Sequence, residues 1–319
     1  MKKKGLVLFL LSALLFTACG TEKNKTEETD KLTVVTSFYP VYLLAQEIVQ
    51  GAEGIRLKNM AQPQTGCLHD YELSISDMKL LETADIFIIN GGGMESFLEQ
   101  ALERYSELTV VDTSEGIALL EEEAHHHHDE EEEAEAHEHE HEHEHEHEGN
   151  SHIWLSPARA AQQAESIAAA LSEMDQADAA VFAENAARFK EETDALLQEA
   201  AQLNLPEGTE AEVFHEGFAY FAELFGMEIA SGIFVDEYQV PSAKELTEAA
   251  DEAREHNIRF FLTAADDGRI YAETLAQETG ETITLLDPLT TAAEGNPSYI
   301  ERMRRNIQAV AQHWKEAAA

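Results

Sequence analysis

Short apolar runs alternate with longer helical segments along the chain from Leu32 onward. In the first half, four runs of four to six residues have the β-branched or apolar content of strands: Leu32–Thr36, Ile55–Met60, Asp85–Asn90 and Leu108–Asp112. Helices are expected between them, over about 41–50, through 77–83 and from Met94. Strands that alternate with helices in this way predict a parallel α/β sheet.

The second half repeats the same alternation. Strands are predicted to end at His215 and to cover Arg259–Thr263 and Thr282–Leu286. Ser156-Pro157 and the capping box Ser242–Glu245 mark helix starts. A last helix is predicted from Pro297 to about Lys315.

A long Ala- and Glu-rich stretch without Gly or Pro separates the two halves and predicts one connecting helix. The fold class is therefore α/β: two lobes, each with a mainly parallel sheet flanked by helices, joined by that helix. The predicted divisions are a signal peptide (1–19), a tether (20–31), a first lobe (32–176), a linking helix (177–204) and a second lobe (205–319).

An insertion within the first lobe, 121–149, breaks the pattern with a tract of alternating His and Glu. Ten of the chain's 15 histidines lie in it: His125, His126, His127, His128, His137, His139, His141, His143, His145 and His147. It has no apolar residue apart from alanine and carries a block of like charge, so it cannot bury enough surface to offset the entropy of ordering, and we predict a disordered segment. Imidazole and carboxylate are ligands that zinc accepts, so a low-affinity zinc-collecting tract is one hypothesis and a solvated spacer is the other.

The overall charge is strongly acidic, at -42 for 319 residues. A nucleic-acid partner needs a basic surface, so this class of partner is excluded. The 44% hydrophobic content is enough to bury a large core, and we expect a monomer.

The N-terminus has the features of an export signal. Three lysines, Lys2 to Lys4, precede a short apolar run, Leu6–Phe16, that ends before Cys19. This ending resembles a bacterial lipoprotein signal, in which the cysteine becomes the lipidated first residue. A plain secretory signal with an incidental cysteine is the alternative. Either case places the mature protein outside the cytoplasm.

Five histidines lie outside the tract, and three of them occupy loops or strand ends: His69, His152 and His215. Asp287 similarly follows a predicted strand. Ligands of open α/β sheets bind beyond the carboxyl ends of the strands, so a metal held by these four residues would lie between the lobes. Three imidazoles and a carboxylate suit Zn²⁺, although each residue alone could be an ordinary polar loop residue. His256 and His313 are predicted to be solvated.

Five passages resemble the metal-binding subunit of zinc or manganese ABC importers, the ZnuA/TroA class of solute-binding lipoproteins: Thr33–Pro40, Gly66–Asp77, His152–Pro157, Phe214–Phe221 and Asp287–Leu289. The resemblance implies that His69, His152 and His215 are the first three ligands and that Asp287 supplies the fourth. It also implies zinc rather than manganese, because a histidine at the third position goes with zinc. Ser151, where the family usually has Pro, and Leu262–Arg269 depart from the family pattern.

The expected function is extracellular capture of Zn²⁺ and its delivery to an ABC permease and its ATPase, from a lipoprotein held at the cell membrane through Cys19. A complete protein coordination shell leaves no open position to activate water, so we expect no enzyme. Two alternatives are a metal-dependent surface adhesin and a zinc hydrolase. The second lacks the H-E-x-x-H motif, since Ala219 stands where the second His would be.

Overall fold

Two separate parallel sheets are built from eight strands in the part of the chain that the structure describes. This computed structural model describes residues 31–61, 71–102, 104–121, 149–232, 241–265 and 268–317. The strands are β1 (Leu32–Thr36), β2 (Ile55–Asn59), β3 (Ile86–Ile89), β4 (Thr109–Asp112), β5 (Glu210–Val213), β6 (Glu228–Gly232), β7 (Phe260–Thr263) and β8 (Ile283–Leu285).

The first sheet has the strand order β2-β1-β3-β4, and all of its pairs are parallel. Val34 of β1 lies opposite Leu57 of β2 and Ile86 of β3. Val34 and the β3 segment Ile86–Ile88 are fully buried. Parallel sheets need cover on both faces, which explains why β3 is an unbroken apolar run rather than an alternating one.

The second sheet repeats this arrangement in the order β6-β5-β7-β8, again with only parallel pairs. The fold prediction of two parallel α/β lobes is thereby confirmed. Strand β6 was not predicted, because its sequence Glu-Ile-Ala-Ser-Gly has no apolar run. Among the described strands it pairs with β5 alone, at the edge of the sheet, where a polar strand is tolerated.

Helices cover the sheets and connect the strands. Their bounds are α1 (Tyr39–Val49), α2 (Ile75–Leu81), α3 (Glu99–Leu102), α4 (Pro157–Met174), α5 (Ala179–Ala201), α6 (Phe218–Glu223), α7 (Ala243–Glu255), α8 (Arg269–Thr279) and α9 (Tyr299–Ala317). The predicted capping box at Ser242 is confirmed, since its hydroxyl accepts from the Glu245 N–H and the Glu245 carboxylate accepts from the Ser242 N–H. The helix predicted from Met94 is reduced to a 3-10 turn, Ser96–Leu98, and the single turn of α3.

The long helix α5 packs against elements of both halves. In the first half, the Asn185 side chain donates to the backbone oxygens of Ile48 and Gln50, both at 2.8 Å. In the second half, the Phe189 ring meets the Tyr299 ring at 5.3 Å between centroids. One cluster of buried apolar residues therefore runs from the first sheet through α5 to the second. The predicted boundaries of the lobes stay predictions.

His313 corrects one prediction. It was expected at the surface but is 7% exposed, and its Nδ1 lies 2.7 Å from the Thr284 hydroxyl. Burial lowers the pKa of this imidazole and so favours its neutral form. His256 is exposed as predicted, and the adjacent Glu210 carboxylate raises its pKa.

Several predicted features lie outside the described residues: Cys19, His69 and the ten histidines of the tract. Within the described ranges, no helix has the length and apolar composition needed to span a membrane.

Candidate metal centre

Two histidine-bearing segments, one from each half of the chain, meet in the structure. His215 lies two residues beyond the end of β5. His152 immediately precedes a 3-10 turn, Ile153–Leu155, and follows an isolated antiparallel bridge between Leu120 and Asn150. The two imidazole rings are 4.7 Å apart between centroids and nearly perpendicular, at 88°. The folding of both lobes therefore brings together two of the four predicted ligands.

The close approach of the two segments depends on Gly217. A Cβ atom built on this glycine would lie 2.9 Å from both Cβ and Cγ of His152 and 3.0 Å from a Leu155 methyl carbon. Such distances are shorter than real carbon contacts allow, so any side chain at position 217 would displace the His152 ring. The glycine is required here for space, because its backbone is in the ordinary helical region, with φ at -59°.

His152 is almost completely buried, with 1% of its surface exposed, and polar groups contact both its backbone and its ring. Its backbone N–H donates to the Asn150 side-chain oxygen at 3.0 Å, and its Nδ1 lies 3.1 Å from the same oxygen. Glu216 places a carboxylate oxygen 3.3 Å from this Nδ1. Both partners of Nδ1 are acceptors, so Nδ1 carries a proton and the lone pair of the neutral ring is at Nε2.

His215 has a different environment. It is partly exposed, and its Nδ1 accepts a hydrogen bond from the Gly217 backbone N–H at 3.1 Å. The Phe218 ring packs beside it at an interplanar angle of 61°, with centroids 5.9 Å apart. An Nδ1 that accepts a hydrogen bond leaves the proton of the neutral ring at Nε2, the opposite tautomer to that of His152.

Asp287 is engaged by an arginine. Arg302 donates from Nε to one carboxylate oxygen at 2.7 Å and from Nη2 to the other at 2.6 Å. The arginine is 1% exposed, and it also donates to the Thr291 backbone oxygen at 2.8 Å. Such a bidentate pair gives Asp287 a structural role that needs no metal. Its role as the fourth ligand stays a prediction.

The loop that carries Asp287 is also tied to the turn that carries His152. The Trp154 indole N–H donates to the Pro288 backbone oxygen at 2.9 Å, and the Tyr299 hydroxyl donates to the Trp154 oxygen at 2.7 Å. Trp154 is itself 1% exposed. The segment 152–155 is therefore bound to the second lobe on two sides.

In the first lobe, Asn90 binds the residue before His152. The Asn90 amide donates to the Ser151 backbone oxygen at 2.8 Å, and its own side-chain oxygen accepts from Gln163. Behind it lies buried Glu95, which accepts from the Ser37 hydroxyl and from the backbone N–H groups of Asn90 and Gly91. Burial raises the pKa of Glu95 to about 7, against these hydrogen bonds.

Two adjacent imidazoles are the beginning of a zinc site but not a complete one. In the ranges that the structure describes, no set of three or more His, Cys, Asp or Glu side chains is arranged to hold a metal ion. The predicted first ligand, His69, is outside these ranges. His152 and His215 are thus brought together, Asp287 is bound to Arg302, and the position of His69 is not described.

Three residues that support the histidines were missed at the level of sequence: Asn150, Glu216 as a partner of His152, and Gly217. Their only signal was proximity, since each lies within two residues of a predicted ligand. Nothing in the residue types shows that Glu216 would pair with the histidine of the other segment.

Comparison with known proteins identifies the family. The model of the family described as ZnuA, "Zinc-uptake complex component A periplasmic", matches residues 34–313. The chain belongs to the ZnuA family. This match includes both lobes and all four predicted ligands, so the resemblance based on short motifs is confirmed over nearly the whole fold.

Similar proteins agree with this membership. The high-affinity zinc uptake system protein ZnuA of Bacillus subtilis is 30% identical, with 97% of this chain and 98% of that protein covered. The zinc-binding lipoprotein AdcA of Streptococcus pneumoniae is 29% identical over 98% of this chain, but the match spans only 61% of AdcA. A crystal structure of ZnuA aligns with a TM-score of 0.70 at 27% identity, covering 89% of this chain and 99% of that one.

Proposed function

We propose that this protein captures Zn²⁺ outside the cytoplasm and delivers it to the permease of an ABC importer. The ATPase of that importer would power transport through the permease. As a ZnuA-family member, it is the zinc-binding component of a zinc uptake system. The observation that carries the proposal is the meeting of His152 and His215, from opposite lobes, with ring centroids 4.7 Å apart. Paired imidazoles favour zinc over manganese, which prefers carboxylate oxygens.

In this proposal His69 completes a set of three imidazoles, and Asp287 or another oxygen fills the fourth position. Such a closed tetrahedral shell suits binding and transfer rather than the activation of water, so no catalytic activity is proposed. The family's role as a transport component agrees with this.

Release of zinc is expected to need local movement of the ligand loops. Helix α5 packs on both halves, and the segment around Trp154 is bonded to the second lobe. A large hinge closure would have to break these contacts. A comparison of metal-free and zinc-bound structures tests this, and a rotation of the lobes by many degrees as rigid bodies would contradict it.

Zinc capture itself can be tested by metal competition and by uptake. We expect the purified protein without the tract, residues 124–148, to bind one Zn²⁺ tightly and Mn²⁺ much more weakly. Cells that lack the gene should grow poorly in zinc-poor medium and recover when it is restored. Tight binding of manganese instead of zinc, or uptake unaffected by loss of the gene, would contradict the proposal.

The His/Glu tract is proposed to collect zinc at several weak sites and raise its concentration near the tight one. Its 15 acidic residues between Glu121 and Glu148 create a negative potential that attracts cations. Deleting residues 124–148 should slow uptake in zinc-poor medium while one tight site remains. Unchanged uptake would leave the tract as a solvated spacer.

Attachment to the membrane is proposed to occur through lipid on Cys19. A Cys19→Ala variant should be released into the soluble fraction, and mass spectrometry of the unmodified protein should find acyl chains on the cysteine. An unlipidated, secreted protein would support the plain signal peptide instead.

A further inference from the structure

We infer that Asn150 is a positioning residue for zinc: its side-chain amide sets the tautomer of His152 and joins the two histidine-bearing segments. The inference rests on the proposed function, since it assigns how one ligand of that site is prepared. Asn150 is 3% exposed and lies in the first segment, two residues before His152. Its side chain bonds to both segments.

The orientation of the Asn150 amide is determined by its partners. Its Nδ2 donates to the backbone oxygen of Glu216 at 2.8 Å, so the amide nitrogen points to the second segment. Its Oδ1 accepts from the backbone N–H of His152 at 3.0 Å. A flipped amide would place a donor against a donor and an acceptor against an acceptor, so the observed orientation is the only one that satisfies both contacts.

This orientation decides which nitrogen of His152 is protonated. The same Oδ1 lies 3.1 Å from Nδ1 of the ring, and an amide oxygen can only accept. The Glu216 carboxylate, 3.3 Å from Nδ1, is a second acceptor. Nδ1 is therefore the proton donor, and the neutral ring presents the Nε2 lone pair, as in metal-binding histidines whose other ring N–H is held by an oxygen.

The backbone of Asn150 is anchored independently of its side chain. Its N–H donates to the Leu120 oxygen at 2.8 Å, and its carbonyl accepts from the Tyr220 hydroxyl. The same hydroxyl accepts from the Leu120 N–H at 3.0 Å. Since the backbone is held in this way, a change of the side chain should alter the His152 contact without releasing the segment.

Only an amide meets both demands at this position. A carboxylate could accept from Nδ1 but would place an oxygen against the Glu216 backbone oxygen. An apolar side chain would lose both contacts, and of the two acceptors described at Nδ1 it would keep only the more distant one, the Glu216 carboxylate at 3.3 Å, so the preference for a protonated Nδ1 should weaken. Asn150→Asp and Asn150→Leu therefore separate the tautomer contact from the contact between segments.

The test reads the tautomer directly and without metal. Long-range ¹H–¹⁵N NMR spectra of the full-length metal-free protein at pH 8, above the ordinary His pKa of about 6.5, report which ring nitrogen is protonated. The His152 signal is assigned by its loss in His152→Ala. We expect protonated Nδ1 in the unmodified protein and in Asn150→Asp, and a mixture with protonated Nε2 in Asn150→Leu.

Zinc affinity is measured on the same variants by chelator competition. Loss of a residue that orients a ligand typically costs about 10–100-fold in metal affinity, which we expect for Asn150→Leu, with a smaller loss for Asn150→Asp. Asn185→Leu is the matched control, because it removes a buried amide that bonds to Ile48 and Gln50, away from both histidine segments. It should lower stability and leave zinc affinity unchanged.

Two outcomes would overturn the inference. One is a His152 tautomer that is the same in Asn150→Leu as in the unmodified protein. The other is an equal loss of zinc affinity in Asn150→Leu and Asn185→Leu, which would indicate general destabilisation. Weak zinc binding by the unmodified protein would instead overturn the proposed function, because the tautomer is read without metal.

Discussion

The two histidines whose rings meet, His152 and His215, are supported in opposite ways. His152 is 1% exposed, packed on Gly217 and bonded at Nδ1 to side-chain oxygens of both segments. His215 is partly exposed, and its Nδ1 accepts a backbone N–H from its own segment. The difference indicates a division of roles. His152 presents its Nε2 lone pair before zinc arrives. His215 must give up its hydrogen bond from the Gly217 N–H before its ring proton can move to Nδ1 and its Nε2 can bind zinc.

Removing either histidine should give the largest effect. We expect His152→Ala and His215→Ala each to lower zinc affinity by about a thousandfold, more than the roughly 10–100-fold typical of supporting residues. Only His152→Ala should also lower the free energy of unfolding of the metal-free protein, by about 2 kcal/mol, because it leaves a buried cavity. Chelator competition and urea unfolding measure the two effects.

Exposed His256 provides the control for this pair, since His256→Ala should change neither quantity appreciably. Equal stability of the His152→Ala and His215→Ala variants would contradict the proposed difference between the two sites.

The next largest effect is expected for Asp287, whose carboxylate accepts two hydrogen bonds from Arg302 in the second lobe. Asp287→Asn should lower the free energy of unfolding by about 3–5 kcal/mol, because it leaves a buried arginine without its carboxylate. Zinc affinity should fall less than for His152→Ala.

Asp251→Asn tests the same change in an exposed pair with Arg254 and should cost less than about 1 kcal/mol. If Asp287→Asn abolishes tight zinc binding while stability is retained, Asp287 is a ligand first and a partner of Arg302 second.

Buried Glu95, which contacts the loop at Asn90 and Gly91, should make the free energy of unfolding depend on pH. Its folded-state pKa of about 7 lies above the ordinary 4.5, so between these values the folded protein binds more protons than the unfolded chain. The stability due to Glu95 is therefore fully present below about pH 4.5 and is lost as the pH rises through 7. The shift corresponds to roughly 3 kcal/mol.

Urea unfolding at pH 5 and pH 8 measures this contribution. Glu95→Gln should remove most of it and make the variant's stability less dependent on pH over this interval. The control Glu184→Gln, on the exposed face of α5, should keep the pH dependence of the unmodified protein. A Glu95→Gln profile parallel to that of the unmodified protein would show that Glu95 is not the titrating group.

The smallest expected effect tests the packing of His152 on Gly217. Gly217→Ala places a methyl group 2.9 Å from the His152 ring atom Cγ, so the ring must shift. We expect zinc affinity to fall about tenfold, corresponding to roughly 1.4 kcal/mol.

Gly208→Ala separates this effect from backbone strain. Gly208 has a positive φ of 74° and no atom within 4 Å of an added Cβ, so its substitution should lower stability without affecting zinc. Unchanged affinity in Gly217→Ala would mean that the ring tolerates the displacement.

The pattern of apolar runs was sufficient to predict seven of the eight strands in the described residues. Buried runs such as Ile86–Ile88 have a composition that few other environments accept, and helix starts such as Ser242 satisfy their own backbone groups locally. Strand β6 was missed because its pairing with β5, not its own composition, makes it a strand. His313 was misplaced because burial depends on how α9 packs, which the charges around it did not indicate.

By itself, the sequence determined the fold class, the family motifs and the histidines worth testing, because these depend on local pattern and residue type. The tertiary structure alone decided that the rings of His152 and His215 lie side by side and that Asp287 is held by Arg302. It also decided that the side-chain oxygens of Asn150 and Glu216 lie 3.1 and 3.3 Å from Nδ1 of His152. The physical reason is that these contacts depend on tertiary packing. His152 meets Glu216 and His215 from more than 60 residues away in the chain, and Arg302, 15 residues after Asp287, reaches that carboxylate only because of how α9 packs. No local pattern records that packing.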